Sequence, residues 1–251
     1  MTQTDPRPWW RRFNLTAGWL AAITAVTLVI AGPGHRVGWL GFQTAVQLSL
    51  VAAALSTLGF VVAALALLGG RVWTPHRFGI SSLAALLLCG AVLVQLGIWA
   101  LRATSVPPIH DISTDTEEPP PFVAIAPLRA TAPNPVEYGG ADVATAQRRA
   151  YPDIATVRVA TSAAVAIDSA ARYAEQQGWT VVAKDAALGR LEATATTFWY
   201  GYQDDIVVRA RETNNGTFID VRSKSRVGRS DLGTNAERIR ALLAAIAADA
   251  T

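Results

Sequence analysis

The stretch Asp220-Val-Arg-Ser-Lys-Ser-Arg-Val-Gly-Arg-Ser-Asp-Leu-Gly-Thr-Asn-Ala-Glu-Arg-Ile-Arg240 decides how the second half of this chain folds. Residues 218–223 alternate between two faces, which is typical of a half-buried strand. Thr234 and Glu237 have the capping-box spacing that starts a helix, and apolar residues follow at helical intervals. Residues 224–233 are therefore predicted to form a tight basic turn between a strand and the last helix.

This basic turn is the first candidate for a ligand surface. Lys224, Arg226 and Arg229 come shortly before the predicted helix, where free N–H groups and the helix dipole favour anions. The alternative is that these cations pair with nearby acids and hold the turn, because surface charge clusters are mostly structural. The candidate ligand or anion surface comprises Arg222, Arg226, Arg229, Ser230, Asp204, Asp205, Trp199 and Tyr200.

The last two residues of that set belong to an aromatic cluster around Gly201, at a predicted hairpin tip. Aromatic side chains at a tip bind a ligand, enter lipid headgroups, or pack over the end of a sheet. The sequence favours packing and leaves the other two roles open.

Three stretches resemble one known family. Residues 225–240, which begin Ser-Arg-Val-Gly-Arg-Ser-Asp-Leu-Gly, resemble the signature of the family catalogued as domain of unknown function 1499. Residues 189–205 resemble its central block, and residues 109–115 with 119–122 resemble its opening block. The resemblance spans about residues 107 to 246. It implies a bacterial envelope protein or lipoprotein-like domain, and it implies no catalytic residues.

Composition and charge distribution indicate a membrane protein. Of 251 residues, 51% are hydrophobic, which is high for an ordinary soluble protein. Residues 1–102 contain seven Arg and one acid, whereas the remainder contains 15 Lys and Arg against 18 Asp and Glu. Because the positive charge flanks apolar segments, it is typical of a topology signal and argues against nucleic acid as a partner.

Residues 1–102 are predicted to form a membrane domain with three transmembrane helices, at about 15–32, 43–68 and 80–101. Each has roughly the 20 apolar residues that a crossing needs. The first segment also has the charge and position of a signal peptide, but no Ala-x-Ala cleavage site follows, which favours a signal anchor. A stripe of small residues in the second segment, Ala52, Ser56, Gly59 and Ala63, is suited to close helix contact.

The orientation follows from the basic residues of the flanks and loops. Arg7, Arg11 and Arg12 precede the first segment, and Arg71 and Arg77 lie between the second and third. The positive-inside rule places both regions in the cytoplasm. Three crossings then give a multi-pass protein of the inner (cytoplasmic) membrane, with a cytoplasmic N-terminus and a periplasmic or extracytoplasmic C-terminal domain.

Residues 103–154 are rich in proline and predict an extended wrap or linker. Residues 155–251 predict a soluble α+β domain with the order β-α-β-β-β-β-α, an antiparallel sheet covered by two helices. Ser162 is expected to cap the first of these helices. Asn214-Asn215-Gly216 predicts a hairpin turn.

No catalytic residue, cofactor or metal is predicted. His110 is the only histidine after residue 102, and no nucleophile-elbow sequence accompanies it. A metal site could be built from His110, Asp111, Asp115, Asp204 or Asp205, since oxygen ligands suit hard cations. Their spacing fits no known metal-binding loop, and turn caps and ion pairs explain these residues better.

The leading functional hypothesis is a non-enzymatic module of the cell envelope. It is anchored in the lipid bilayer and binds an envelope protein, a lipid or a glycan, or serves a structural role. One alternative is a hydrolase or other enzyme that uses Asp204 and Asp205 with Arg226 or Arg229. Another is a subunit of a larger membrane complex, to which the small-residue stripe would contribute.

Overall fold

The computed structural model describes residues 8–73 and 79–250, and of residues 8–11 and 70–73 it describes the backbone. Arg7 and Arg77, on which the predicted orientation partly depends, lie outside the described residues. The chain divides into two compact units. The first consists of residues 1–101 with 199–201, and the second of residues 102–198 with 202–251.

Three long helices begin the chain: α1 (Pro8–Arg36), α2 (Phe42–Trp73) and α3 (Ile80–Ser105). All three are long and apolar enough to cross a membrane. The prediction of three N-terminal helices of this kind is confirmed. Each helix extends beyond the predicted apolar segment at one or both ends, because backbone hydrogen bonding continues into the polar flanks.

Small residues let these helices approach closely. Ala52, Ser56 and Ala63 of α2 are fully buried. A Cβ added to Gly59 would lie 2.9 Å from Sγ of Cys89, closer than real Cβ contacts allow. The small-residue stripe of α2 is therefore used in helix packing inside the first unit.

The second unit is an antiparallel α+β fold, as predicted. Its elements are β1 (Asp111–Ser113), α4 (Gly140–Ala150), β2 (Val157–Val159), α5 (Ala163–Gln176), β3 (Thr180–Asp185), β4 (Arg190–Thr196), β5 (Gln203–Thr213), β6 (Gly216–Ser225) and α6 (Thr234–Ala248). The sheet order is β1-β6-β5-β4-β3, and β2 also pairs with β6. The elements from β2 to α6 have the predicted order, whereas β1 and α4 are additions to it.

Local signals place most ends of these elements. Ser162 caps α5, since its side chain accepts a hydrogen bond from N of Val165. Residues 214 and 215 form the two-residue turn between β5 and β6. The predicted capping box of α6 is not formed: its N-cap is Gly233, and Asp231 instead accepts hydrogen bonds from the backbone N–H groups of Gly233 and Asn235.

The main core lies between the sheet and the helices α5 and α6. Its buried side chains include Ile167, Ala170, Leu191, Ile206, Val208, Ile219, Val221, Ile239, Leu242 and Ile246. The opposite face of the sheet is covered by residues 114–139, which we call the wrap. Phe122 and Ile125 of the wrap pack against Val207 of β5, so both faces of the sheet are closed.

Candidate functional site

The face of the sheet beneath the wrap carries charged side chains in the rows that the strand register creates. Glu192, Val207 and Arg222 are opposite one another, and Thr194, Asp205 and Lys224 form the next row. Glu192 and Asp205 are fully buried, and Arg222 and Lys224 are 3% and 2% exposed. Buried charges are tolerated only when they are paired and hydrogen-bonded, so the partners decide what this face does.

Asp111 of β1 is the centre of the first ion-pair group. Arg222 donates to both carboxylate oxygens of Asp111, with Nε–Oδ1 and Nη2–Oδ2 distances of 2.9 Å each. Nζ of Lys224 lies 3.0 Å from Oδ2 of the same carboxylate. Arg222 also donates to the carbonyl of Val136, and Lys224 donates to the carbonyl of Glu137. The group therefore joins β1, β6 and the wrap.

Asp205 of β5 is the centre of the second group. Arg226 donates to both of its carboxylate oxygens, at 2.8 Å each, and Nη1 of Arg129 lies 3.1 Å from Oδ2. The hydroxyl of Thr194 donates a further hydrogen bond to Oδ1, at 2.8 Å. Burial lowers the pKa of Arg129, an effect that the charge of Asp205 opposes. Asp205 is thus fully occupied by partners from its own domain.

Glu192 of β4 holds the wrap by its backbone. One carboxylate oxygen accepts from N of Val123 and the other from N of Ile125, both at 2.9 Å. Arg190 lies 3.0 Å from the same carboxylate. The N–H groups of these two wrap residues, which lie outside any strand, are satisfied here by a buried side chain.

Asp220 of β6 is the centre of a third ion-pair group. Arg209 and Arg211 both reach its Oδ2 at 2.8 Å, and Thr156 donates to Oδ1 at 2.6 Å. Arg209 also lies 3.0 Å from Asp115 at the start of the wrap. For Asp115, burial raises the pKa, but backbone N–H groups of Glu118 and Glu117 and the charge of Arg209 outweigh it and lower the pKa.

Asp204 and Asp205 point to opposite faces of β5, as consecutive strand residues do. Asp204 lies on the helix side, where Nη2 of Arg238 is 2.9 Å from its carboxylate. Asn235, fully buried at the start of α6, accepts from Ser223 at 2.6 Å and donates to Ser225 at 3.1 Å. The structure therefore does not bring the two carboxylates together in one cleft.

The turn itself separates the two arginines that the sequence grouped. Arg226 is mostly buried against Asp205, whereas Arg229 is exposed and makes no ion pair among the described residues. The hydroxyl of Ser230 accepts from N of Leu232, which has a left-handed φ of 55°. The turn thus uses Arg226 for folding and leaves Arg229 at the surface.

The remaining two candidate residues belong to a different compact unit from the other six. Trp199 and Tyr200 are in the connection between β4 and β5 and belong to the first compact unit, with Gly201. Arg222, Arg226, Arg229, Ser230, Asp204 and Asp205 belong to the second.

His110 lies beside this turn. Its Nδ1 is 3.4 Å from the carbonyl oxygen of Arg229. Burial lowers the pKa of His110, and the hydrogen bond to Arg229 acts in the other direction. Within residues 8–73 and 79–250, no group of three or more His, Cys, Asp or Glu side chains could hold a metal ion.

Sequence reasoning missed Arg129 and gave Asp111 no role beside Arg222. Arg129 is a single cation in a proline-rich segment, with no periodicity to indicate that it would be fully buried. Asn235 also has no distinguishing pattern beyond its place in the family-like signature. Their roles depend on contacts with β5 and β6, which sequence spacing does not reveal.

The fold and this face together define a class: an α+β domain whose charged sheet face is closed by ion pairs, preceded by three helices apolar enough to cross a membrane. A family model described as "Protein of unknown function (DUF1499)" matches residues 111–246, more than half of the chain. The chain belongs to this family. The match begins at Asp111 and ends in α6, so it covers the ion-paired face and leaves out the three apolar helices. A search of curated proteins found no match.

Proposed function

We propose that this protein is a membrane-anchored module of the cell envelope that binds a partner or serves a structural role. Its three helices sit in the inner membrane, the N-terminus is cytoplasmic and the second unit faces the periplasm. Support comes from three candidate spans among the described residues, an odd number, and from basic residues: Arg7, Arg11 and Arg12 near the start of the chain, and Arg71 and Arg77 around the connection between α2 and α3.

The observation that carries the non-enzymatic role is the environment of Asp205. Its carboxylate is fully buried and is bonded to Arg226, Arg129 and Thr194. A general acid or base must reach a substrate proton within hydrogen-bond distance, and this carboxylate has no oxygen left for that purpose. Asp204 lies on the other face of the strand. The enzyme that would combine both carboxylates with Arg226 is therefore disfavoured.

The small residues of α2 do not favour a larger membrane complex either. Ala52, Ser56 and Ala63 are already buried within the chain, so the stripe needs no second protein to explain it. A partner would bind to the outer surface of the second unit or to the lipid-facing sides of the helices.

Reporter fusions test the topology. A reporter active only in the periplasm is fused after Thr251 and, separately, after Arg77. Activity of the first fusion and silence of the second support the proposal. The reverse pattern would overturn it.

Co-purification in mild detergent tests the binding role. The full chain is captured beside a version that lacks residues 103–251. Proteins, lipids or glycans enriched only with the full chain identify what the second unit binds. Turnover of an envelope lipid or peptidoglycan fragment, lost on Asp204→Ala, would establish an enzyme instead.

A further inference from the structure

Residues 199–201 lie against the end of α1 within the first compact unit. A Cβ added to Gly32 would be 2.1 Å from Nε1 of Trp199, so the indole ring occupies the space that a side chain at position 32 would need. A Cβ added to Gly201 would be 2.9 Å from Cα of Arg36. The two glycines therefore let this short segment pack closely on the last turns of α1.

Two hydrogen bonds join Tyr200 to the helices α1 and α2. The hydroxyl of Ser49 donates to the carbonyl of Ala45 at 2.7 Å and lies 2.8 Å from the hydroxyl of Tyr200, so the tyrosine is the donor of the second bond. Nδ1 of His35 donates to the carbonyl oxygen of Tyr200 at 2.6 Å. Non-helical backbone at membrane depth is tolerated where protein groups satisfy its polar atoms, and His35 does this for the Tyr200 carbonyl.

The position of Ser49 along α2 gives the depth of these contacts. The apolar span of α2, Phe42–Gly69, has 28 residues and is about 42 Å long, against about 30 Å for the hydrocarbon core of a bilayer. When the span is upright and centred, about 6 Å of it extends beyond the core at each end. Ser49 lies about 10 Å from Phe42 along the helix, which is inside the boundary of the core. Tyr200 consequently reaches the layer where headgroups meet acyl chains.

Two tryptophan rings at this end of the helices are exposed. Trp199 is 40% exposed, and Trp39, in the connection between α1 and α2, is 84% exposed. Tryptophan and tyrosine favour the membrane interface, because an apolar ring and a polar N–H or O–H group suit its two sides. In a bilayer, the medium around a ring near the depth of Ser49 is lipid.

We propose that Trp199 and Tyr200 form a membrane attachment separate from the three spans. The Trp199 ring lies in the headgroup layer of the leaflet at the α1–α2 connection, and lipid covers its exposed part. The attachment depends on the location of the three helices in a bilayer, which is part of the proposed function. It adds to that function a lipid contact in the connection between β4 and β5.

Fluorine NMR of the full chain in lipid nanodiscs tests this attachment. The tryptophans are replaced biosynthetically by fluorotryptophan, and the Trp199 resonance is identified by its absence in Trp199→Phe. A phospholipid with a nitroxide near the top of one acyl chain is compared with a water-soluble gadolinium chelate. The nitroxide lipid is expected to abolish the Trp199 resonance. Its persistence would overturn the attachment, because the ring would then lie in water or beneath protein.

Leu188→Trp supplies the comparison from an exposed turn at the other end of β4. That strand is about 23 Å long, beyond the reach of a contact with the same headgroups. The added resonance is expected to need more nitroxide lipid and less chelate than the Trp199 resonance for the same loss of intensity. Equal responses at the two positions would overturn the attachment.

Trp19, an exposed residue of α1, separates failure of this attachment from failure of the proposed function. Its resonance is expected to be lost to the nitroxide lipid, because α1 crosses the bilayer. Loss at Trp19 with persistence at Trp199 would overturn the attachment alone. Persistence at both would overturn the membrane location of α1 as well.

Gly32→Ala tests the packing of Trp199 on α1. The added methyl group displaces the indole ring, so the Trp199 resonance is expected to change its chemical shift. Gly41→Ala is the matched control, since a Cβ there would have no described atom within 4 Å, and it should leave the resonance in place. An unmoved Trp199 resonance in Gly32→Ala would show that the ring does not lie on α1 and would overturn the attachment.

Discussion

Arg226, the residue that follows β6, forms a two-pronged ion pair with Asp205 of β5, with Nε–Oδ2 and Nη2–Oδ1 distances of 2.8 Å. The carboxylate is fully buried, and the arginine side chain is 15% exposed. Three residues along the chain, Arg229 lies at the surface. Two arginines of one turn therefore have different physical roles.

Replacing Arg226 by alanine is expected to destabilise the second unit by about 3 kcal/mol, because removal of one partner of a buried pair leaves the other charge uncompensated. The value lies at the lower end for such pairs, since Arg129 still contacts Asp205. Thermal unfolding of the full chain in detergent measures the change.

Arg229→Ala is the matched control from the same turn. An exposed side chain without an ion pair among the described residues is expected to contribute within about 0.5 kcal/mol. Equal losses in both variants would mean that the Arg226–Asp205 geometry does not determine the stability of this turn.

Glu192→Gln is expected to loosen the wrap. Glutamine has one acceptor oxygen in place of two, so Val123 or Ile125 loses its backbone partner, and Arg190 loses its counter-charge. The cost is about 1–3 kcal/mol for each group left unsatisfied. Hydrogen exchange is expected to speed up at residues 121–126 and to stay unchanged in α5.

Glu175→Gln, at an exposed position of α5, provides the comparison for that experiment. If it accelerates exchange in the wrap as much as Glu192→Gln does, the carboxylate is not what holds this segment.

The sheet could be predicted because its signals are local. Strand alternation gave the faces of β4, β5 and β6, and the turn residues before Gly216 gave the β5–β6 hairpin. The short strand β1 was missed, because it is defined by pairing with β6: Arg222 and Asp111 are 111 positions apart. No property of a three-residue strand alone indicates such a partner.

The candidate site shows that residues adjacent in sequence need not belong to one site. Asp204 and Asp205 are adjacent in the chain, and the same alternation that predicted the strand separates them onto opposite faces. Helix α4 was missed for another reason. Prolines at 133, 135 and 152 flank this helix. Because proline breaks helices, the whole proline-rich stretch was predicted to be extended, including the residues between these prolines.

The stability of the second unit is expected to fall as the pH is lowered below the ordinary histidine range, in part because of His110. Burial lowers the pKa of His110, so the folded state disfavours its charged form. The unfolded chain, with a pKa of about 6.5, takes up the proton first, and stability present above that pH is lost below it. The groups that act on the ring are Lys224, Asp111, Asp231 and the carbonyl of Arg229.

Urea unfolding of the parent and of His110→Gln between pH 5 and 8 measures this contribution. The glutamine variant should show a flatter dependence on pH than the parent. Parallel curves for the two proteins would assign the loss of stability to other groups.

Asn235 is expected to be the most sensitive uncharged residue of the family-like signature. Its buried amide joins three elements, since it bonds the hydroxyls of Ser223 and Ser225 on β6 and donates to the carbonyl of His110 beside β1 at 3.0 Å. Asn235→Ala leaves these groups without their partner and should cost about 2–4 kcal/mol in thermal unfolding, at roughly 1–3 kcal/mol for each unsatisfied group.

Asn235→Asp keeps the acceptor for Ser223 but turns an oxygen toward the His110 carbonyl, so it should also destabilise. Gln176→Ala, at an exposed site on α5, should change stability by less than about 0.5 kcal/mol. An Asn235→Asp variant as stable as the parent would show that the bond to His110 does not hold β1 to the start of α6.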